Sequence, residues 1–226
     1  MPIHVVAIDL ALGLLAGHVA ARFMRGHLAR RALLLVLTLT AAITMLAGVS
    51  AYDAGLQQAL YLARVDMAAL GFDVLLGVLA VATAVVVAGR NGGWIPARPL
   101  AFRYQDLVNA PLTAFIAGIL TYLIVYPPTT WAFRVAVPLT AVLGILLALP
   151  LPAPDALRLA ALLQALAGLA AVLAGLATNA PVFMLLGGFL LGAGLTQVRR
   201  LGRERSLTLG RMLGIAFGAA PSTRPW

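Results

Sequence analysis

Seven apolar stretches, each close to twenty residues long, follow one another through this 226-residue chain, and arginine-bearing segments separate the first four of them. A helix that crosses a bilayer needs about 20 consecutive, mostly apolar residues. In lipid the backbone N–H and C=O groups must be bonded within their own segment, which forces such stretches into helices. The stretches are residues 3–21, 32–52, 67–88, 107–126, 131–149, 156–178 and 181–198; the fifth contains Pro138. Asn179, Ala180 and Pro181 predict a tight turn, so the last two spans form an antiparallel hairpin. Soluble domains are about half apolar and about a quarter charged, whereas this chain is 62% hydrophobic and 10% charged. The expected fold is an all-α polytopic transmembrane bundle over residues 1–198, followed by a basic cytoplasmic tail over 199–226 that carries a short interfacial helix.

Arginine placement orients the bundle. With the N-terminus outside, the inner segments hold Arg22, Arg25, Arg30, Arg31, Arg90, Arg98, Arg103, Arg158, Arg199, Arg200, Arg203, Arg205, Arg211 and Arg224, and the outer side keeps only Arg64 and Arg134. A split of 14 to 2 sets the topology by the positive-inside bias and requires an odd number of crossings, because tail and basic loops then share one side. Aromatics agree: Tyr52, Tyr61, Tyr126 and Trp131 mark the outer edge, and Trp94, Phe102 and Tyr104 the inner edge. No basic residue precedes the first apolar run, Asp9 interrupts it and Arg22 and Arg25 follow it, so it is expected to stay as a helix and not to be removed as a signal peptide.

Three segments fall outside the spans. Residues 53–66 carry Leu56, Ala59, Leu60 and Ala63 at helical spacing and read as a short outer helix lying on the membrane. Residues 89–103 are rich in Gly and Pro and read as an irregular inner loop. Residues 207–218 are apolar but too short to cross, with Arg211 inside, and read as an interfacial or re-entrant helix.

Missing residue types exclude several chemistries. The chain has no Cys, so thiolate nucleophiles, iron–sulfur clusters and cysteine zinc sites are out. All 16 basic residues are Arg, so there is no lysine for a Schiff base to retinal or pyridoxal phosphate, nor for a Walker-type phosphate site. Arginine without lysine, among abundant Ala, Leu and Gly, points to GC-rich bacterial coding and a bacterial inner membrane. No metal site is expected. Within the chain no cofactor is expected either; the one route to a pigment or haem is a site that His18 shares with another chain.

Ionisable groups inside spans are costly and mark candidate sites. Asp73 and Asp9 each lie about 9 Å below the outer end of a span at 1.5 Å per residue, so they share a depth. Asp66 precedes Asp73 by seven residues and lies on the same helix face. Asp9, Asp66 and Asp73 therefore form a candidate outer ion or proton site, against the plainer reading that Asp66 caps a helix and the other two bond neighbouring side chains. Asp106, Asn109 and Thr113 share a stripe that opens at the cytoplasmic face, and Asp106 and Asn109 extend the candidate set. The plainer reading of Asp106 is a favourable charge at a helix N-terminus. Gly13 with Gly17 and Gly188 with Gly192 are GxxxG spacings that let helices approach closely. Arg22, Arg25, Arg30, Arg31, Arg199 and Arg200 are candidates for anionic lipid headgroups, in keeping with a net charge of +9. Nucleic acid is not an expected partner, since the charge is spread over separate inner segments.

Two functions follow. The leading one is a non-catalytic integral membrane subunit of a larger complex, binding partner helices and lipid; it rests on the absence of cofactor ligands, the small loops and the GxxxG faces. The alternative is a small transporter or a cation or proton conduit using Asp9, Asp66 and Asp73. Its weakness is the middle of the membrane, where polar groups are few, among them Thr38, Thr44, Thr83, Thr113, Thr121 and Gln164. A lipid-hydrolysing enzyme ranks last, because Ser50 and Ser206 have no nearby His in the sequence. Topology is directly testable in this cysteine-free chain. Arg25→Cys and Arg200→Cys should each react with a membrane-impermeant maleimide from the cytoplasmic side alone; reaction from opposite sides contradicts seven crossings.

Overall fold

The computed structural model describes residues 3–23, 27–57, 64–96, 98–100, 104–126, 130–203 and 208–218. Among them are eight helices and no strand: α1 (Ile3–Phe23), α2 (His27–Gln57), α3 (Arg64–Asn91), α4 (Gln105–Val125), α5 (Thr130–Ala148), α6 (Ala153–Thr178), α7 (Pro181–Arg203) and α8 (Leu209–Ala216). The first seven are long and apolar enough to cross a membrane. α3 and α6 form the buried centre, and α1 is the most peripheral span, with 17% of its apolar window buried. Around that centre α2, α4 and α5 pack on α3, α7 packs on α6, and α1 packs on α7.

Most helices run beyond the apolar stretches because their ends enter the polar headgroup zone without losing backbone bonding. α3 starts at Arg64 and α7 continues to Arg203. The same continuity corrects the expected outer helix over 53–66. α2 runs unbroken to Gln57 and α3 begins at Arg64, so both ends of that segment extend spanning helices; residues 58–63 lie outside the described residues. The expected turn between α6 and α7 is present: Asn179 adopts φ 53°, its N–H and that of Ala180 both bond Gly175 O, and Pro181 opens α7. Asn tolerates this left-handed conformation better than most residues.

α7 is the keystone of the packing, because two of its faces are stripped of side chains. On one face, a Cβ built on Gly168 of α6 would lie 2.5 Å from Leu191 N and 2.6 Å from Gly187 O, so α6 and α7 meet backbone to backbone. On the other face, Gly13 and Gly17 of α1 lie against Leu185 O and Phe189 O, while Gly192 lies against Leu14 O. Contacts ascend together along α1 and α7, so these two helices run parallel, as the first and last of seven crossings must.

At the inner end, Arg90 closes the fold. Its guanidinium, buried at the end of α3, donates to Leu151 O and, at 2.6 Å, to Leu149 O just beyond α5. Leu149 O also accepts from Leu100 N at 2.9 Å. The cation thus satisfies the open carbonyls of a helix C-terminus, where positive charge is favoured.

α8 stands within residues 207–218, where an interfacial or re-entrant helix is expected. Met212 and Ala216 are fully buried and belong to the main hydrophobic core, so α8 tucks under the bundle. Thr208 caps its N-terminus through Arg211 N. Overpacking the α1·α7 seam is the sharpest test of this arrangement. Gly17→Leu should lower stability by about 1–3 kcal/mol, read as an earlier thermal transition in detergent. Gly118→Leu, at a position with nothing within 4 Å, should leave that transition unchanged.

Candidate functional site

The interior of a membrane bundle gains nothing from polar side chains unless they bond or carry something. The centre of this bundle nevertheless contains a row of them on α2, α3 and α6. Asp73 of α3 is 0% exposed, and neither of its carboxyl oxygens has a hydrogen-bond partner. Gly48 of α2 makes room for it: a Cβ there would stand 2.9 Å from Asp73 Oδ2. Thr40 and Thr44 precede Gly48 at four-residue steps on the same buried stripe of α2. Their hydroxyls donate to Val36 O and Ala41 O, leaving oxygen lone pairs to accept.

Deeper toward the cytoplasm lies Gln164 of α6, also 0% exposed. Its Nε2 donates to Thr38 Oγ1 over a long 3.5 Å, and its Oε1 has no partner. Counted at about 1.5 Å per residue from the outer helix ends, Asp73 lies ~13 Å down and Gln164 ~21 Å down. Thr83 of α3 is buried as well and bonds its own helix at Leu79 O and Ala80 O. At the inner end α6 begins with Asp155 and Arg158, both buried, and Arg158 Nη2 stands 2.9 Å from where a Cβ on Gly202 would be. Asp155 Oδ1 and Arg158 Nε make no hydrogen bond, although both side chains have other partners. Of these under-bonded groups the Asp73 carboxyl can take up or release a proton, whereas the Gln164 carboxamide can only accept or donate a hydrogen bond.

The residues singled out from the sequence are distributed over three places. Asp66 and Asp73 share one face of α3; Asp66 is half-buried in the first turn and has a partner. Asp9 stands on α1, which packs on α7 and shares no extensive interface with α3, so it is not joined to the Asp66–Asp73 face. One of its oxygens, Oδ2, is buried without a hydrogen bond. On the inner side Asp106 is exposed in the first turn of α4, and Asn109 is fully buried. Asn109 Nδ2 donates to Ala216 O at 2.9 Å, and Gln105 Nε2 donates to the same oxygen at 2.7 Å. The Asp106–Asn109 stripe at the cytoplasmic face is the seat of α8, whose last carbonyls the Asn109 and Gln105 amides cap. Gly218 follows with φ 103°, its backbone resting on the Asp106 backbone.

His18 of α1 reaches across to α7, with Nδ1 2.9 Å from Thr196 Oγ1. Arg22 and Arg199 are exposed near the inner helix ends and Arg200 is half-buried; Arg30 and Arg31 lie in the first turns of α2, and Arg25 lies outside the described residues. Gly13, Gly17, Gly188 and Gly192 meet in the α1·α7 seam. Among the described residues, no group of three or more His, Cys, Asp or Glu side chains is placed to hold a metal ion. Sequence reasoning misses Gly48 and Asp155. Asp155 carries a signal, an acid preceded by Pro152 and Pro154 and nine residues before the only Gln of its span; Gly48 carries none.

Compared with known families, the chain matches the family model described as NAD(P) transhydrogenase beta subunit (PNTB) over residues 1–217. No curated protein matches it. The α8 seat generates its own test. Asn109→Leu removes one of two amides on Ala216 O and should cost about 1–2 kcal/mol locally, seen as roughly tenfold faster tryptic cleavage at Arg211 with the seven spans intact.

Proposed function

We propose, starting from the fact that this chain belongs to the NAD(P) transhydrogenase beta subunit family, that it is the proton-passing membrane part of such an assembly. It is a multi-pass membrane protein of a multi-subunit type. In this reading a proton enters from the outer side at Asp73, is relayed past Thr44 and the Gln164–Thr38 pair, and leaves near Asp155. One observation carries the reading: Asp73 is a fully buried carboxyl with no bonding partner, set in the same α2–α3–α6 core as the under-bonded Gln164. A structural role would have given the carboxyl a partner, since unpartnered buried polar groups are destabilising.

Hydride transfer belongs, in this proposal, to other parts of the assembly. Dinucleotides are held at glycine-rich turns between a strand and a helix. The described residues contain no strand, and the glycines of α1, α6 and α7 that meet other backbones lie within spanning helices. They do not fit a nicotinamide nucleotide, and no step of its chemistry is assigned to them. The 14 inner arginines support placement in the bacterial cytoplasmic membrane, with contacts to anionic lipid headgroups.

The test is proton uptake by vesicles containing the whole complex during NADH-to-NADP⁺ hydride transfer, followed with a pH-sensitive dye. Asp73→Asn should assemble normally and lower coupled proton movement at least tenfold. Gln164→Leu should give a comparable loss. Full proton movement in the Asp73→Asn complex would remove the proposed route and leave a subunit with a purely structural role.

A further inference from the structure

On the outer half of the bundle α4 and α5 leave a groove of about 480 Å³ between them, within the ~300–1,000 Å³ span of ligand pockets. Gly118 makes the gap, since a Cβ added there would meet nothing within 4 Å. Ile119 and Ala132 line its buried side, and Phe115, Tyr122 and Trp131 stand exposed around it. From Ala114 to Tyr122 the groove follows α4 for about 12 Å. Its lining is apolar apart from the Tyr122 hydroxyl and the Trp131 ring nitrogen.

At its outer mouth the lining turns aromatic. Tyr122 packs against Tyr126 and Trp131, with ring centroids 5.1 and 6.2 Å apart. Tyr and Trp rings settle at the headgroup level of a bilayer. Arg134 follows Trp131 by three residues and stands on the same exposed side of α5. It lies about 6 Å inside the start of that helix. Among the described residues none forms a hydrogen bond or ion pair with Arg134. The outer side keeps only two of the 16 arginines, so this one runs against the charge bias of the chain. A cation on the lipid-facing side of a span needs an anion. At this depth the anion within reach of a guanidinium is a lipid phosphate, which its planar fork binds well.

We propose that this groove binds one anionic phospholipid of the outer leaflet, with an acyl chain laid over Gly118 and the phosphate held by Arg134 beside Trp131. One molecule then supplies hydrocarbon for a gap that no side chain fills and a phosphate for a cation that no described side chain pairs. Free phosphate would satisfy Arg134 and leave the gap open. An uncharged isoprenoid would fill the gap and leave the cation bare. The site lies across the membrane from the inner arginines and on helices outside the α2–α3–α6 row, so it stands or falls independently of the proton route.

The test is quenching of Trp131 fluorescence by brominated lipid. Trp94→Phe and Trp226→Phe in the full chain leave Trp131 as the single tryptophan. This chain is placed in phosphatidylcholine vesicles that contain graded fractions of a lipid brominated on its acyl chains, either phosphatidylglycerol or phosphatidylcholine. Brominated phosphatidylglycerol should quench with an apparent affinity about fivefold higher, the scale of one basic residue near a membrane surface. Arg134→Gln should make the two lipids equal. Gly118→Leu, which fills the groove, should cut quenching by both lipids at least twofold with an unchanged thermal transition. Equal quenching by the two lipids before either substitution means ordinary boundary lipid and overturns the proposal. A preference that survives Arg134→Gln, or quenching that survives Gly118→Leu, overturns it as well.

Discussion

Direct contact between helix backbones on two faces of α7 holds this bundle together. Within a bilayer, apolar side chains gain little by leaving lipid for protein, so tight association depends on close approach and dispersion. Gly187 and Gly194 give α6 that approach, and Gly188 and Gly192 give it to α1. With α7 fixed, α6 is held against α3, and α3 in turn gathers α2, α4 and α5. The polar row of the interior exists because this scaffold is rigid enough to enclose it. Asp73 fits beside α2 only because residue 48 has no side chain, and Arg158 fits beside α7 only because residue 202 has none.

The number of crossings and the all-helical fold are legible in the amino-acid order itself, since both follow from run length and the bonding demands of lipid. Helix ends are less legible. Hydropathy falls where a helix enters the headgroup zone, yet backbone bonding continues through Arg64–Asp66 and on to Arg203. The segment over 53–66 misleads for the same reason: its helical spacing is real at the α2 end but belongs to a helix already begun. Asp73 stands out as an acid in an apolar run. Its solitude does not, because the facing residue, Gly48, is known only once α2 and α3 are paired. The seat of α8 is hidden for a similar reason, as Gln105 and Asn109 lie more than a hundred residues from the carbonyl they hold.

Most of the polar side chains in the spans are spent on their own helices. Thr38, Thr40, Thr113, Thr121, Thr140, Thr178 and Thr196 each bond a carbonyl four residues back. Such threonines satisfy themselves in any membrane helix, so the bond to their own helix does not by itself mark a site. The informative groups are those left over in the core, the carboxyl of Asp73 and the carbonyl oxygen of Gln164.

Because α1 packs on α7, the first helix made and the last to be made of the seven are neighbours. Roughly 160 residues separate them, so at about 5–20 residues per second translation leaves α1 in the membrane for roughly ten to thirty seconds before its mate exists. Throughout that interval the glycine face of α1 is bare of its mate. Insertion of α7 therefore completes a contact whose first half has waited in the bilayer since early in synthesis.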